Sequence, residues 1–186
     1  MLDFLRCNVY YPEVVPDIDL RLRLFFNKAK KMRVLNVGAG SGYSALALQL
    51  MFFPFKSLTF LDVHEPYLEN AKARDYAAKE VHFIKGDIRN FRTEDYDVVL
   101  MFDILEHLPK QDSLEVIDDI ACTQIVFIPL EKKFRSNVYG AKSQDHLSLW
   151  TEDNFKCRGF ATELLTGFHE EDGEVFDALW AVKIIK

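Results

Sequence analysis

The fold is decided by the stretch VLNVGAGSG, residues 34–42, which lies between a short apolar strand and a predicted helix. Its glycines, Gly38, Gly40 and Gly42, allow a tight turn and let a ligand approach the backbone closely. The N-terminus of the following helix offers free N–H groups to such a ligand. We interpret the loop as the binding site of a nucleotide-like cofactor, although a plain tight turn also explains a glycine-rich loop considered alone.

The segments that follow alternate between the two kinds of secondary structure. Apolar runs predict strands at 57–63, 81–84, 96–102 and 124–128, and helical patterns predict helices at 44–53, 66–79 and 111–120. A long loop follows Pro129, and then a short helix from Thr151 to Gly159 and an antiparallel hairpin of residues 160–168 and 175–185. This alternation predicts an α/β fold with a doubly wound, mainly parallel sheet and helices on both faces.

Length and composition predict one domain. The chain has 186 residues, which is the usual size of a single domain, and no linker or repeat divides it. We expect residues 1–30 to add an N-terminal helical segment. The net charge of −6 disfavours a nucleic-acid partner, and the three scattered cysteines favour a reducing, cytoplasmic location. No run is long and apolar enough to predict a membrane span.

The spacing of the glycines distinguishes between cofactor classes. Tyr43 stands where the dinucleotide fingerprint has its third glycine, which argues against NAD and FAD. Asp62 ends the second predicted strand, where doubly wound sheets place a carboxylate against ribose hydroxyls. A solvent-exposed strand end is the plainer interpretation of this single Asp.

Four motifs follow predicted strands in order: VLNVGAGSG, then LDV at 61–63, GDI at 86–88 and FDILEHLP at 102–109. This ordered set resembles the class I, Rossmann-like methyltransferases that use S-adenosylmethionine (SAM). The LEHL segment is most similar to that of the small-molecule enzymes. The resemblance implies a seven-stranded sheet of order 3-2-1-4-5-7-6 with the last strand antiparallel. It also implies SAM as cofactor and S-adenosylhomocysteine (SAH) as product.

The resemblance implies positions for the parts of the cofactor. Gly38 and Gly40 would lie beside the methionine part, Asp62 would hold the ribose, and Val63 would pack on the adenine. Asp87 would accept a hydrogen bond from the adenine amino group. The complete cofactor set that the resemblance implies is Asn36, Gly38, Ala39, Gly40, Asp62, Val63, Asp87, Ile88, Asp103 and Leu105.

One position departs from the family pattern. The first motif usually carries Asp or Glu where this chain has Asn36. A carboxylate there helps to hold the methionine ammonium, whereas an amide accepts a hydrogen bond without supplying charge. Weaker SAM affinity, or compensation by Asp103, would follow from the change.

Two histidines are candidates for the catalytic base. Within the resemblance, Asp103 to Glu106 would line the methyl end of the cofactor site, and His107 follows directly. His146 lies in the long loop at 130–150, where a cap over the acceptor would sit. Imidazole has an ordinary pKa of about 6.5 and suits proton removal, but His107 can also serve only to orient its loop, and His146 can be a plain surface residue.

These features lead to a leading function and several alternatives. We predict methyl transfer to an O, N or C atom of a small molecule, without a metal, because the histidines show no i, i+4 pair and no tight cluster with carboxylates in the sequence. The chief alternative is a non-catalytic SAM- or SAH-binding protein or partner subunit. An NAD(P)-dependent or nucleotide-sugar enzyme and an aminopropyl transferase are further alternatives.

Overall fold

The computed structural model describes residues 31–40, 55–136, 144–171 and 173–185. The predicted segment 1–30, the predicted helix 44–53 with Tyr43, and residues 137–143 of the long loop lie outside the described residues. The described chain divides into two compact units, Met1–Leu100 and Met101–Lys186.

The first unit is built around two parallel strand pairings. Strand β1 (Arg33–Val37) pairs with β2 (Ser57–Asp62), and β2 pairs with β3 (Glu80–Lys85). Every residue of β2 is buried, as expected for a central strand covered on both sides. Helix α1 (Glu65–Lys72) connects β2 to β3, and a short 3₁₀ helix (Ile88–Asn90) follows β3.

Helix α1 corrects one prediction, because it ends at Lys72 and not at Lys79. The Tyr76 hydroxyl donates to the Ala71 carbonyl at 2.9 Å, and the Tyr76 ring lies 4.9 Å from the Phe60 ring. The Lys79 N–H then bonds to the Phe55 carbonyl at the start of the β3 pairing. Packing of Tyr76 therefore overrides the helical propensity of the residues after Lys72.

The second unit contains an antiparallel arrangement. Strand β5 (Thr123–Leu130) pairs with β7 (Glu174–Lys183), and β7 pairs with β6 (Ala161–Glu171). A 3₁₀ helix (Leu105–His107) and helix α2 (Lys110–Asp119) precede β5, and the short helix α3 (Glu152–Lys156) precedes β6. Thr151 caps α3 and Gly159, with φ of 80°, follows it, as the sequence predicts.

The strand order confirms the predicted fold class. With β4 (Val98–Phe102), the strands form one seven-stranded sheet in the order β3-β2-β1-β4-β5-β7-β6. Strand β7 is antiparallel to β5, as the resemblance implies. Among the described residues, no helix has the length and apolar character that crossing a membrane requires.

Candidate cofactor and acceptor sites

The glycine loop adopts the backbone conformation that its sequence favours. Gly38 and Gly40 have φ values of 71° and 50°, a left-handed region that glycine enters without steric cost. The Gly38 N–H donates to the Leu61 carbonyl at 2.8 Å, and the Gly40 N–H donates to Asp62 Oδ2 at 3.3 Å. The loop is therefore held to the end of β2 by both the backbone and a side chain.

Asp62 is the residue that organises this edge of the sheet. Asp62 Oδ1 accepts a hydrogen bond from the His64 N–H at 2.7 Å, and Oδ2 accepts one from the Gly40 N–H. The residue is 8% exposed. Burial raises the pKa of the Asp62 carboxyl, although the N–H groups of His64 and Gly40 oppose that shift. The spare lone pairs of a carboxylate with these partners remain available to hydroxyl donors.

The other residues predicted for the first two motifs differ in exposure. Asn36 is fully buried in β1, and Ala39 is also buried. Val63 is 58% exposed at the end of β2, which leaves an apolar surface for a flat ring. Contacts of these residues with a cofactor stay predictions.

Asp87 has a partner that the sequence analysis did not identify. Arg89 Nη2 donates to Asp87 Oδ2 at 2.6 Å, and Arg89 Nε lies 3.1 Å from both carboxylate oxygens. This guanidinium, more than any other group, lowers the pKa of Asp87. Asp87 is therefore ionised at neutral pH, and an adenine amino group would share the carboxylate with Arg89. Ile88 follows and is buried in the 3₁₀ helix.

In the second unit, the segment after β4 makes a constrained turn. Asp103 has φ of 51°, which is uncommon for a residue other than glycine, and its N–H donates to the Phe127 carbonyl at 3.0 Å. The Leu105 carbonyl accepts hydrogen bonds from the hydroxyls of Ser113 and Ser148. These bonds fix the position of the LEHL segment, in which Leu105 is itself almost fully buried.

The structure brings together three side chains that the sequence analysis treated separately. Glu106, His107 and His146, here called the Glu-His cluster, each offer one ligand atom within 4.8 Å of the others. The two imidazole rings have centroids 4.8 Å apart and are nearly perpendicular. The expectation of no tight His and carboxylate cluster was therefore wrong, because His146 lies 39 positions after His107 in the sequence and only the fold brings it to the other two residues.

Each histidine of the cluster is oriented through its Nδ1 atom. His107 Nδ1 lies 3.2 Å from the Asp145 carbonyl, which only accepts, so Nδ1 carries the proton. His146 Nδ1 lies 2.5 Å from Glu131 Oε2. Glu131 in turn pairs with Arg135 at 2.5 Å. Both rings therefore present Nε2 as the nitrogen left for chemistry.

Burial and like charges shift the titration of this region. Burial raises the pKa of Glu106 well above its ordinary value, and the negative charges of Asp103 and Glu131 add to the shift. Burial also raises the pKa of Asp103 to about 7. The pKa of His107 is lowered by burial and by His146. Perturbed groups concentrated in this way are typical of functional sites.

Lys110 anchors the segment that carries His146. Its Nζ atom donates to the Leu149 carbonyl and to Asn154 Oδ1, both at 2.8 Å, and lies 3.3 Å from the centre of the Trp150 ring. Partial burial lowers the pKa of Lys110 to about 8, and the charge of Arg158 adds to this shift. The ammonium therefore joins α2 to the residues after His146.

We expect Lys110→Met to lower the free energy of unfolding by about 1–3 kcal/mol, because two half-buried acceptors lose a donor. Urea unfolding followed by circular dichroism measures the change. The control is Lys72→Met, which removes an exposed lysine paired with Glu69 and should cost less than about 0.5 kcal/mol. Equal losses in the two variants would contradict an anchoring role for Lys110.

Comparison with known proteins shows that the chain is similar to methyltransferases. A family model described as a methyltransferase domain matches residues 34–123, a span that contains Asp62, Asp87 and the LEHL segment. The predicted resemblance to class I SAM-dependent methyltransferases is confirmed.

Individual relatives are distant in sequence. A ubiquinone biosynthesis O-methyltransferase of Rickettsia typhi is 23% identical over 141 residues, which are 72% of this chain and 55% of that protein. The chain thus spans about half the length of this curated relative. The solved structures that the chain resembles are also less than 25% identical to it, so they show a shared fold alone.

Two solved methyltransferase structures illustrate the shared fold. The magnesium protoporphyrin IX methyltransferase of Synechocystis with bound SAM has a TM-score of 0.58 and 17% identity, covering 90% of this chain and 77% of that one. The N-methyltransferase NodS of Bradyrhizobium japonicum with SAH has a TM-score of 0.57 and 17% identity, covering 87% and 81%.

Proposed function

We propose that this protein is a SAM-dependent methyltransferase that transfers the methyl group to an O, N or C atom of a small molecule. The observation that carries the proposal is Asp62, a buried carboxylate that receives N–H groups from the glycine loop on one side and His64 on the other. This arrangement prepares an acceptor for ribose hydroxyls beside a backbone that a ligand can approach closely. The matched methyltransferase family model supports the same assignment.

In the proposed complex, Gly38, Ala39 and Gly40 lie beside the methionine part of SAM and Val63 packs on the adenine. Asp87 accepts a hydrogen bond from the adenine amino group, and Arg89 keeps the Asp87 carboxylate ionised. Asn36 takes the place of the usual acidic residue near the ammonium. Asp103 and Leu105 contribute from the motif after β4. SAM supplies an activated methyl group, so the remaining task of the protein is to align the acceptor and exclude water.

The acceptor end of the proposal rests on His107 and His146. Transfer to a hydroxyl or an ammonium releases a proton, and a well-placed base accelerates such a step by about 10²–10⁴-fold. His107 has a lowered pKa and is neutral at physiological pH, as a base must be. Its Nδ1 is engaged, so Nε2 is the atom that would take the proton.

We further propose a small acceptor, one functional domain and a cytoplasmic location. The relatives named above act, by their names, on ubiquinone precursors and a porphyrin, which are small molecules. The net charge of −6 disfavours nucleic acid. The three scattered cysteines favour a reducing compartment.

Calorimetric titration of the purified chain with SAM, SAH and NAD⁺ in separate runs tests the cofactor assignment. We expect binding of SAM and SAH and no response to NAD⁺. An acceptor screen that follows SAH release then tests catalysis. Absence of binding by either adenosyl ligand would contradict the proposal.

Replacing Asp62 with Ala should weaken SAM binding by about 1–3 kcal/mol, which is about 5–150-fold in the dissociation constant. The loss arises because the ribose loses a charged acceptor and the Gly40 N–H loses its partner. Calorimetry measures the affinity, and thermal unfolding checks that the variant is folded. The control is Asp95→Ala, which removes a carboxylate that is 95% exposed and should leave the affinity unchanged.

A second candidate function is SAM or SAH binding without catalysis, as a sensor or partner subunit. The substitution of Asn36 for the usual acidic residue favours it, because the ammonium of SAM would lack a direct counter-charge there. SAM binding without any turnover across an acceptor library, together with co-purification of a second protein, would support this candidate. Turnover with any acceptor would exclude it.

A further inference from the structure

The Glu-His cluster brings together donor atoms of the kinds that bind metal ions. It combines one carboxylate and two imidazoles, each with a ligand atom within 4.8 Å of the others. Glu106 is 1% exposed, and neither of its carboxylate oxygens has a hydrogen-bond partner among the described residues. A buried carboxylate without donors is costly unless it is protonated or a cation compensates it.

We propose that Glu106, His107 and His146 form a binding site for a divalent transition-metal ion. In a tetrahedral site with ligand bonds of about 2.1 Å, two ligand atoms lie about 3.4 Å apart. The observed separation of up to 4.8 Å would therefore have to close by up to about 1.4 Å when an ion binds. All three residues belong to the second unit.

The groups around the cluster match those that support metal ligands. A metal-bound histidine usually donates its other ring N–H to a carbonyl or a carboxylate, which fixes the ring and its tautomer. His107 meets this condition through the Asp145 carbonyl, and His146 meets it through Glu131. Arg135 pairs with the other carboxylate oxygen of Glu131. Each ring therefore keeps its Nε2 lone pair for a metal ion.

The donor set selects the class of ion. Two imidazole nitrogens and one carboxylate oxygen suit Mn²⁺, Co²⁺ or Zn²⁺ better than Mg²⁺ or Ca²⁺, which prefer ligands made entirely of oxygen. Three protein ligands also leave coordination positions for water or another oxygen. If the proposed function holds, an acceptor hydroxyl is the natural occupant, because a bound cation lowers the pKa of a coordinated hydroxyl.

Metal titration of the chelator-treated full chain tests the site. We expect CoCl₂ and ZnCl₂ to bind with one ion per chain, and Co²⁺ to show the visible absorption of a nitrogen- and oxygen-ligated site. His146→Ala and Glu106→Gln should each weaken binding by more than about tenfold. MgCl₂ should compete poorly. No saturable binding, or the same affinity in both variants as in the wild type, would overturn the proposal.

Controls separate metal binding from folding. His82→Ala removes a histidine that also lies beside a carboxylate, Glu80, but is 54% exposed, and it should leave the affinity unchanged. Glu106→Gln preserves the shape of the side chain, so it tests the ligand even where His146→Ala disturbs its loop. Far-UV circular dichroism confirms that each variant is folded before the titration.

The metal titration and the SAM titration test the two proposals separately. The titration uses the metal salt alone, without SAM, and the SAM titration uses chelator-treated protein. SAM binding without metal binding would overturn the metal site and leave the proposed cofactor. Metal binding without SAM binding would support the site and contradict the proposed methyltransferase function.

Discussion

Replacing His107 with Ala is expected to lower the turnover number by about 10²–10⁴-fold and to leave the affinity for SAM nearly intact. The two roles argued for His107, a base through Nε2 and a metal ligand through the same atom, are alternatives, and in either one the side chain acts on the acceptor during reaction and not on the cofactor before it. The imidazole is neutral at physiological pH because burial lowers its pKa. Its Nε2 is therefore free of a proton when Nδ1 donates to the Asp145 carbonyl.

The measurement is SAH release, with an acceptor that supports turnover by the wild-type chain, combined with calorimetric titration of SAM. The control is again His82→Ala, which should keep full turnover. A variant that unfolds at a lower temperature and loses SAM affinity together with turnover would indicate that His107 only orients its loop. Added Zn²⁺ or Co²⁺ that fails to bind the variant but binds the wild type would favour the ligand role over the base role.

The second large effect is expected at Phe155, which is fully buried in α3. Its ring lies 5.0 Å from the Trp150 ring and 5.6 Å from the Phe160 ring, so it joins the end of the long loop to the start of β6. Phe155→Ala should lower the free energy of unfolding by about 3–5 kcal/mol, because it removes buried contacts and leaves a cavity. For a chain of this size, the unfolding midpoint should fall by about 6–20 °C.

Phe134→Ala is the matched control, because the Phe134 ring is 65% exposed. It should change stability by less than about 0.5 kcal/mol. Calorimetric or optical thermal unfolding of the two variants and the wild type measures both effects. A loss below about 1 kcal/mol at Phe155 would mean that the ring cluster of Trp150, Phe155 and Phe160 does not hold this part of the second unit together.

Much of the fold was predictable from local sequence, because strands buried on both faces appear as apolar runs. The strands around Val34, Phe60 and Val126 follow this rule, and the turn at Gly38 follows from the conformational freedom of glycine. The end of α1 was not predictable in this way. Its boundary depends on Tyr76 packing against Phe60, a contact made by tertiary structure.

The cofactor edge was also predictable in outline, because motifs that directly follow parallel strands meet at one edge of a sheet. The sequence did not reveal the side chains that pair with the site residues, because these partners are distant in sequence or are ordinary charged residues. Arg89 beside Asp87 carries no signal apart from its charge, and Glu131 looks like any charged residue after a strand. The meeting of Glu106 with His146 depends on the path of the long loop, which spacing along the chain does not encode.

The irregular part of β6 has a consequence for the behaviour of the protein in concentrated solution. Between Leu165 and His169 the pairing shifts, so that residues 166–168 face Asp177 alone, and the Gly167 N–H donates to the Asp177 carboxylate at 2.8 Å. Strand β6 is the last in the sheet, and a regular terminal strand invites edge-to-edge association between molecules. Because the bulge interrupts the row of backbone groups and presents a charge there, this edge of the sheet offers a poor template for fibril growth.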